Sequence, residues 1–110
     1  AEISPELKRI ENNYVTAINY EMLGIEATEF NKEVLDSYLE KIALLSEEYK
    51  VLSKKLVTDE INEKVVNALI NNLQLRLQLL LELKVVSLIS AALIIFHSHI
   101  SSWFTKGGSI

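Results

Sequence analysis

The spacing that most directly suggests chemistry in this sequence is an H-x-H pair, His97 and His99. On a strand both imidazoles would share a face and could bind one zinc ion, but on a helix residues i and i+2 point about 200° apart. No Asp, Glu or Cys lies near them in the sequence. We therefore interpret the pair as two polar residues at the wet end of an apolar helix, and we expect no metal site.

Carboxylate pairs such as Asp36 with Glu40 and Glu60 with Glu63 have helical spacing. A di-metal site in a helix bundle also needs Glu-x-x-His, which this chain lacks. It has no Cys and no Gly-rich phosphate loop, and neither histidine has a carboxylate beside it in sequence. We predict that the chain is not an enzyme and holds no cofactor. Its net charge of −4 and scattered basic residues also speak against nucleic-acid binding.

Turn residues are scarce, which favours long helices over a sheet. Neither Gly nor Pro occurs between Gly24 and Gly107. Ser4 followed by Pro5 is typical of a helix start, and Thr58 or Asp59 could cap a third helix. The predicted fold is an all-α antiparallel three-helix bundle. Its helices are expected at about 4–23, 30–56 and 58–84, with the third continuing into, or followed by, an apolar helix at 85–104.

The second predicted helix has the clearest periodicity, with apolar residues in alternating steps of three and four as in a coiled coil. This seam consists of Leu35, Tyr38, Ile42, Leu45, Tyr49, Leu52 and Leu56. The third helix has a wider apolar sector, since Leu75 and Leu81 lie off its main seam. We therefore expect the third helix to be central and to contact both other helices or a partner.

Charge divides the chain in two. All 15 acidic and 10 of the 11 basic residues lie in 1–84, and 85–110 contains only Lys106. We therefore predict an acidic helical domain at 1–84 and a charge-poor apolar segment at 85–110. The first six residues include two acidic ones and no apolar stretch follows, so we expect no secretory signal there.

Three interpretations of the apolar run at 85–104 remain open. It is long enough to span a bilayer, with Trp103 where an interfacial aromatic is expected, although it contains five serines and two histidines. It could instead fold back as a fourth core helix, turning near Ser87 or Ser90. In the third interpretation it is an exposed helix end that another chain covers.

Three stretches together resemble a known family: S-P-E-L-K-R-I-E-N-N-Y (4–14), the run 35–56, and N-E-K-V-V-N-A-L-I-N-N-L-Q-L-R-L-Q-L-L (62–80). Residues 4–84 resemble the helical extracytoplasmic region of membrane-bound anti-sigma factors and related membrane proteins of the Bacteroidetes, most specifically over 62–80. The resemblance implies a periplasmic, non-enzymatic domain of a regulator that holds a sigma factor at the inner membrane and releases it on a signal.

The resemblance supplies no ligand-binding or catalytic residues, and the chain departs from the family pattern after L-E-L-K (81–84). Charged residues are expected there, and an apolar run stands in their place. No sigma-binding segment is recognisable in 1–110, so we do not expect these residues to bind a sigma factor by themselves.

The expected function is thus a protein-interaction or signal-sensing helical domain of a membrane-associated regulator, periplasmic or bound at a membrane. It would act through apolar helix faces on a protein partner or a second copy. The candidate interaction residues are Leu75, Leu79, Leu81, Leu88, Ile95, Phe96 and Trp103. Two alternatives stay open, a structural protein anchored in a membrane by 85–104, and a carrier of apolar small molecules or lipids.

Overall fold

The fold consists of helices throughout the part of the chain that the computed structural model describes, which is residues 5–29, 31–58 and 62–107. The helices are α1 (Pro5–Met22), α2 (Lys32–Thr58) and α3 (Glu63–Thr105). Both α1 and α2 pack on the long apolar α3. The all-α class and the central position of the third helix are therefore confirmed.

The helices alternate in direction, as the short connections predict. Leu7 near the start of α1 and Leu56 near the end of α2 pack together with Leu69 near the start of α3. At the other end of α1, Lys84 of α3 bonds Glu21 at 3.0 Å. Thus α1 runs parallel to α3, and α2 runs antiparallel to both.

The core lies along one side of the N-terminal half of α3, where four leucines are fully shielded from solvent. Ile18 of α1 and Ile42 of α2 meet α3 there, and α2 buries or half-buries every residue of its predicted seam. Burying a Leu side chain contributes about 1.5–3 kcal/mol, so this contact dominates the stability of the fold. The four leucines are Leu69, Leu73, Leu80 and Leu83.

The start of α3 differs from the prediction. Thr58 is the last residue of α2, so it does not cap the third helix. The cap is Asn62, whose side-chain oxygen accepts a hydrogen bond from the Lys64 N–H at 2.8 Å. Asn and Thr cap helices by the same chemistry, so the pattern alone could not choose between them. The predicted roles of Ser4, Asp59 and Glu60 lie outside the described residues.

The third helix continues unbroken through the boundary at 84/85, so the apolar run is part of α3 and does not fold back. The predicted turn residues Ser87 and Ser90 lie inside the helix, and Ser90 Oγ donates to the Val86 carbonyl at 2.8 Å. At 1.5 Å per residue the 43 residues of α3 span about 65 Å. The helix accounts for nearly the whole 72 Å length of the molecule, which is 22 × 17 Å across.

Candidate functional site

Large apolar side chains face solvent along the C-terminal half of α3. A helix turns about 100° per residue, so one set of these side chains shares the face directly opposite the leucine core. We call this set the outer stripe, and Phe96 is its most exposed large residue, at 63%. The set contains no charged residue, although the exposed carboxylate of Glu82 borders it at its N-terminal end and His99 lies at its edge. The outer stripe consists of Val85, Ile89, Ala92, Phe96 and Trp103.

The opposite side of this half of α3 faces the connection between α1 and α2, residues 23–29. Asn31 holds the connection in place and is only 1% exposed. Its Oδ1 accepts from the Thr28 N–H at 2.7 Å, and its Nδ2 donates to the Glu26 carbonyl at 3.1 Å. The Leu35 N–H then bonds the Asn31 carbonyl at 2.8 Å, which ties the connection to the first turn of α2.

A groove of about 410 Å³ lies between this connection and α3. One wall comes from α3 and is mostly apolar, and the other comes from the connection. We call it the connection groove. It is lined by Gly24, Glu26, Thr28, Ser87, Leu88, Ala91, Ile94 and Ile95. A second hollow, lined by Glu29, Ile94, His97 and Ser98, continues it toward the C-terminus of α3.

Two hydroxyl groups of the connection groove are unusual. The Oγ1 of Thr28 and the Oγ of Ser87 are buried and have no hydrogen-bond partner among the described residues. Other hydroxyls of α3 do bond a carbonyl four residues back, for example Thr105 Oγ1 to Ser101 O at 2.9 Å. A buried polar group without a partner costs about 1–3 kcal/mol.

A separate apolar groove of about 390 Å³ lies between α2 and α3 on the flank of the bundle. Leu75 and Leu79 of α3 form one side, and Lys41, Leu44 and Leu45 of α2 form the other. Leu44 is 64% exposed. This groove is suited to contact with a protein, because exposed leucines lie beside a single charge.

Two polar residues of α3 that interrupt its apolar sector are buried or half-buried against α2. Asn72 Nδ2 donates to the Leu45 carbonyl at 2.8 Å, and the Arg76 guanidinium lies 6.0 Å from the centre of the Tyr49 ring. Burial lowers the pKa of Arg76 from its ordinary value.

The most perturbed ionisable pair joins α1 to α2, because the Tyr49 hydroxyl donates to the Glu11 carboxylate. Burial, then this hydrogen bond and the negative charge of Glu11, raise the pKa of Tyr49 far above its ordinary value of 10. Burial acts to raise the pKa of Glu11, but the hydrogen bonds from Tyr49 and Lys8 outweigh it and hold that pKa below 4.5. The pair joins two helices and lies outside both grooves.

The two histidines point in different directions, as helical geometry requires. His97 lines the hollow beside Glu29, and His99 is exposed among the residues of the outer face. Among the described residues, no group of three His, Cys, Asp or Glu side chains is placed to hold a metal ion.

The structure separates the seven candidate interaction residues into three places. Leu75 and Leu79 line the α2–α3 groove, while Leu88 and Ile95 line the connection groove. Phe96 and Trp103 belong to the outer stripe, where the Trp103 ring packs edge-on against Phe104 with centroids 5.0 Å apart.

The seventh candidate, Leu81, is exposed on the surface of α3 and lines neither groove. Sequence reasoning missed Thr28, Glu26 and Asn31, because nothing in their local pattern shows that the connection lies against a helix more than 55 residues away.

No protein-family model, no curated protein and no solved structure matches this chain. The resemblance to anti-sigma factors therefore stays a prediction. By length and composition alone α3 could cross a membrane, with a mean hydropathy of 2.3 over its most apolar 18 residues. Only 22% of that stretch is buried in the molecule, so it is not simply the core helix of the bundle.

Proposed function

We propose that this chain is a non-enzymatic, membrane-associated helical interaction domain whose α3 lies on a lipid bilayer along the outer stripe. The observation that carries the proposal is the contrast between the two halves of one helix. One side of the N-terminal half of α3 is buried by α1 and α2, while the C-terminal half presents uncharged apolar side chains to solvent. An exposed apolar surface of this kind is typical of contact with a membrane or a protein.

Lipid is favoured as the contact because the outer stripe lies on the face turned away from α1 and α2. The same face in the N-terminal half of α3 is polar, which suits lipid headgroups, and Glu82, where this face meets the outer stripe, accepts hydrogen bonds from Tyr38 and Gln78. This polar face consists of Asn67, Asn71, Gln74 and Gln78. A bilayer surface can therefore run along the whole helix without meeting the bundle, and Trp103 then lies at headgroup level, as interfacial tryptophans do.

A surface orientation agrees better with the fold than a helix that crosses the bilayer. The connection lies against α3 as far as Ser98, and it carries the exposed carboxylates of Glu26 and Glu29. If 85–104 spanned the membrane, both carboxylates would enter hydrocarbon, where an ionised group is very costly. On the surface, they remain in water on the side of α3 that faces away from lipid.

The α2–α3 groove provides the protein-interaction part of the proposal. It opens on the flank of the bundle and stays accessible when the outer stripe is on lipid. The resemblance of 4–84 to the extracytoplasmic region of anti-sigma factors supports the setting of a membrane-bound regulator. Together these features support a domain that is held at a membrane and recognises a protein through leucines beside Lys41.

The test uses the single tryptophan of the chain, Trp103. Phosphatidylcholine vesicles should shift its fluorescence to shorter wavelength, and lipids brominated near the headgroup should quench it more than lipids brominated deep in the chain. Phe96→Glu should weaken vesicle binding by about tenfold or more, because a buried Phe contributes about 1.5–3 kcal/mol.

Leu44→Glu is the matched control, since it puts the same charge in place of an exposed apolar residue outside the outer stripe. It should bind vesicles as the unmodified chain does. Equal loss in both variants would contradict the role of the outer stripe. Trp103 lies near the headgroups in either orientation, so resistance of the bound chain to alkaline extraction is the result that would show that α3 crosses the membrane.

A further inference from the structure

We infer that the α2–α3 groove is the contact surface between two copies of this chain, which pack antiparallel about a two-fold axis. The inference rests on the protein-interaction part of the proposed function and names the partner that this part left open. It does not depend on contact with lipid, because the groove shares no residue with the outer stripe.

The groove extends beyond its leucine-lined middle. A second hollow of about 360 Å³ shares Leu45 and Leu75 with it and continues toward the start of α3. Glu48 of α2 lines this second hollow, and Lys41 of α2 lines the groove at the opposite end. The continuous groove is therefore apolar in the middle, positively charged at one end and negatively charged at the other.

The two charges at the ends of the groove are exposed, and neither has an ion-pair partner in the described part of the chain. Lys41 and Glu48 are about 10 Å apart along the axis of α2, and they do not pair with each other. Neighbouring charges are already engaged, since Lys50 pairs with Glu47 at 3.1 Å and Glu82 accepts hydrogen bonds from two side chains. Both ends of the groove can thus pair with a partner.

A two-fold axis makes this surface complementary to itself. When a second copy lies antiparallel on the groove, its Glu48 is opposite Lys41 and its Lys41 is opposite Glu48, with the leucines of both copies between them. A parallel arrangement would instead bring like charges together. The antiparallel dimer therefore forms the same pair of opposite charges twice.

The position of the groove along α2 favours the same arrangement. Leu45 is the central residue of α2, so an axis at this level pairs the two copies of α2 along their whole length. Val34 lies seven residues before Lys41, and Val51 lies seven residues after Leu44. Both valines are exposed on the same face of α2, so apolar side chains flank the charged pairs on both sides.

The antiparallel dimer is compatible with the membrane orientation. Leu75 and Leu79 lie about a quarter of a turn from the outer stripe around α3, so the groove opens sideways when the outer stripe is on lipid. A two-fold axis along the bilayer normal reverses the direction of the helices and brings the two flanks together. Both outer stripes then face the same bilayer.

The experiment measures the association of the full chain by sedimentation equilibrium. We expect the unmodified chain to show a monomer–dimer equilibrium. Lys41→Glu and Glu48→Lys should each weaken the dimer by about tenfold or more, because like charges then meet at both contacts. Circular dichroism should be unchanged, since both side chains are exposed and unpaired in the described chain. A chain that stays monomeric, or that forms only larger aggregates, would overturn the inference.

An equimolar mixture of the two variants is the decisive sample. A heterodimer of Lys41→Glu with Glu48→Lys has opposite charges at both contacts, so the mixture should associate about as tightly as the unmodified chain. Lys32→Glu is the matched control, because Lys32 lies nine residues before Lys41 and hence on the opposite side of α2. It should dimerise normally. Failure of the mixture to associate would overturn the antiparallel arrangement.

This outcome is separable from that of the proposed function. Phe96→Glu should lose vesicle binding and keep the dimer, and Leu44→Glu should do the reverse. Vesicle binding is compared at protein concentrations below the dissociation constant of the unmodified dimer, where only monomers meet the vesicles. Loss of the dimer in Phe96→Glu and not in Leu44→Glu would place the contact on the outer stripe and overturn the inference.

Discussion

Individual buried polar residues determine the path of the chain between the helices of this molecule. Asn31 is an example, because its side chain satisfies two backbone groups of the connection and is itself almost completely buried. These bonds fix the path of the connection, which lies beside α3 and forms one wall of the connection groove. Thr28 and Glu26 acquire their positions in that groove through Asn31.

The Tyr49–Glu11 pair makes a prediction about pH. The raised pKa of Tyr49 means that the folded state favours the protonated hydroxyl. Its contribution to stability is complete below about pH 10, the pKa of an unfolded Tyr, and is lost as pH rises toward the folded pKa. Tyr49→Phe should therefore reduce the fall in unfolding free energy above pH 10, measured by urea denaturation at a series of pH values.

At acidic pH, Glu11 makes stability depend on pH in the opposite direction. Because the pKa of Glu11 is lowered in the folded state, its contribution is complete above 4.5 and is lost as pH falls further. Tyr49→Phe removes one of the hydrogen bonds that lower this pKa, so the acid loss should also become smaller. Tyr20→Phe, at an exposed site, is the control and should leave both slopes unchanged. Identical pH profiles for Tyr49→Phe and the unmodified chain would contradict the coupling.

At the scale of elements, α3 performs two tasks in succession. Its N-terminal half is the axis on which α1 and α2 pack, and its C-terminal half supplies the outer stripe and one wall of the connection groove. In the described part of the chain, the last buried residue is Ser90. Beyond it the connection lies beside α3 as far as Ser98, and the described side chains of this half are mostly exposed, so it contributes mainly surface.

The position of the core on α3 can be tested by replacing Leu73 and Leu75 with Ala, one at a time. Leu73 is fully buried and Leu75 is 41% exposed in the α2–α3 groove. Leu73→Ala should lower the unfolding free energy by about 2–5 kcal/mol, because it leaves a cavity. Leu75→Ala should cost less than about 1 kcal/mol. Urea denaturation of both variants gives the comparison, and equal costs would show that α2 packs on a different face of α3.

The whole molecule is a rod of 72 Å in which the buried core and the exposed outer stripe occupy different ends. The charged residues are concentrated in 1–84 and nearly absent from 85–110. This boundary lies close to the point where α3 changes from buried to exposed, although the helix itself runs through it. The connection links these two parts, because it joins α1 to α2 and also lies beside residues 87–98 of α3.

A chain that ends after Ser90 tests this division. In the described ranges, no residue after Ser90 is buried. The shortened chain should therefore remain helical and lose no more than about 1 kcal/mol of unfolding free energy. It should no longer bind phosphatidylcholine vesicles in a flotation assay. A chain ending at Thr105 retains the outer stripe and should float like the full chain. Unfolding of the shorter chain, or its continued flotation, would show that the two tasks are not separable.

Much of the fold follows from local pattern because helices are stabilised by residues three and four apart, and this spacing can be read directly. The seam of α2 and the wide apolar sector of α3 predicted three helices with the third at the centre, which the structure confirms. The helix start at Asn62 could not be chosen in the same way, since Thr58 and Asp59 offer the same capping chemistry.

The sequence by itself determined the helices, the central role of α3 and the charge-free character of 85–104, because periodicity and composition are local properties. Only the tertiary structure decided that this run continues straight, which side of it faces solvent, and that Glu26, Thr28 and Ser87 meet in one groove. Those features depend on the path of the connection, which Asn31 fixes through contacts that no spacing in the sequence reveals. Neighbouring residues set the pattern of a helix, but its surroundings depend on contacts between distant parts of the chain.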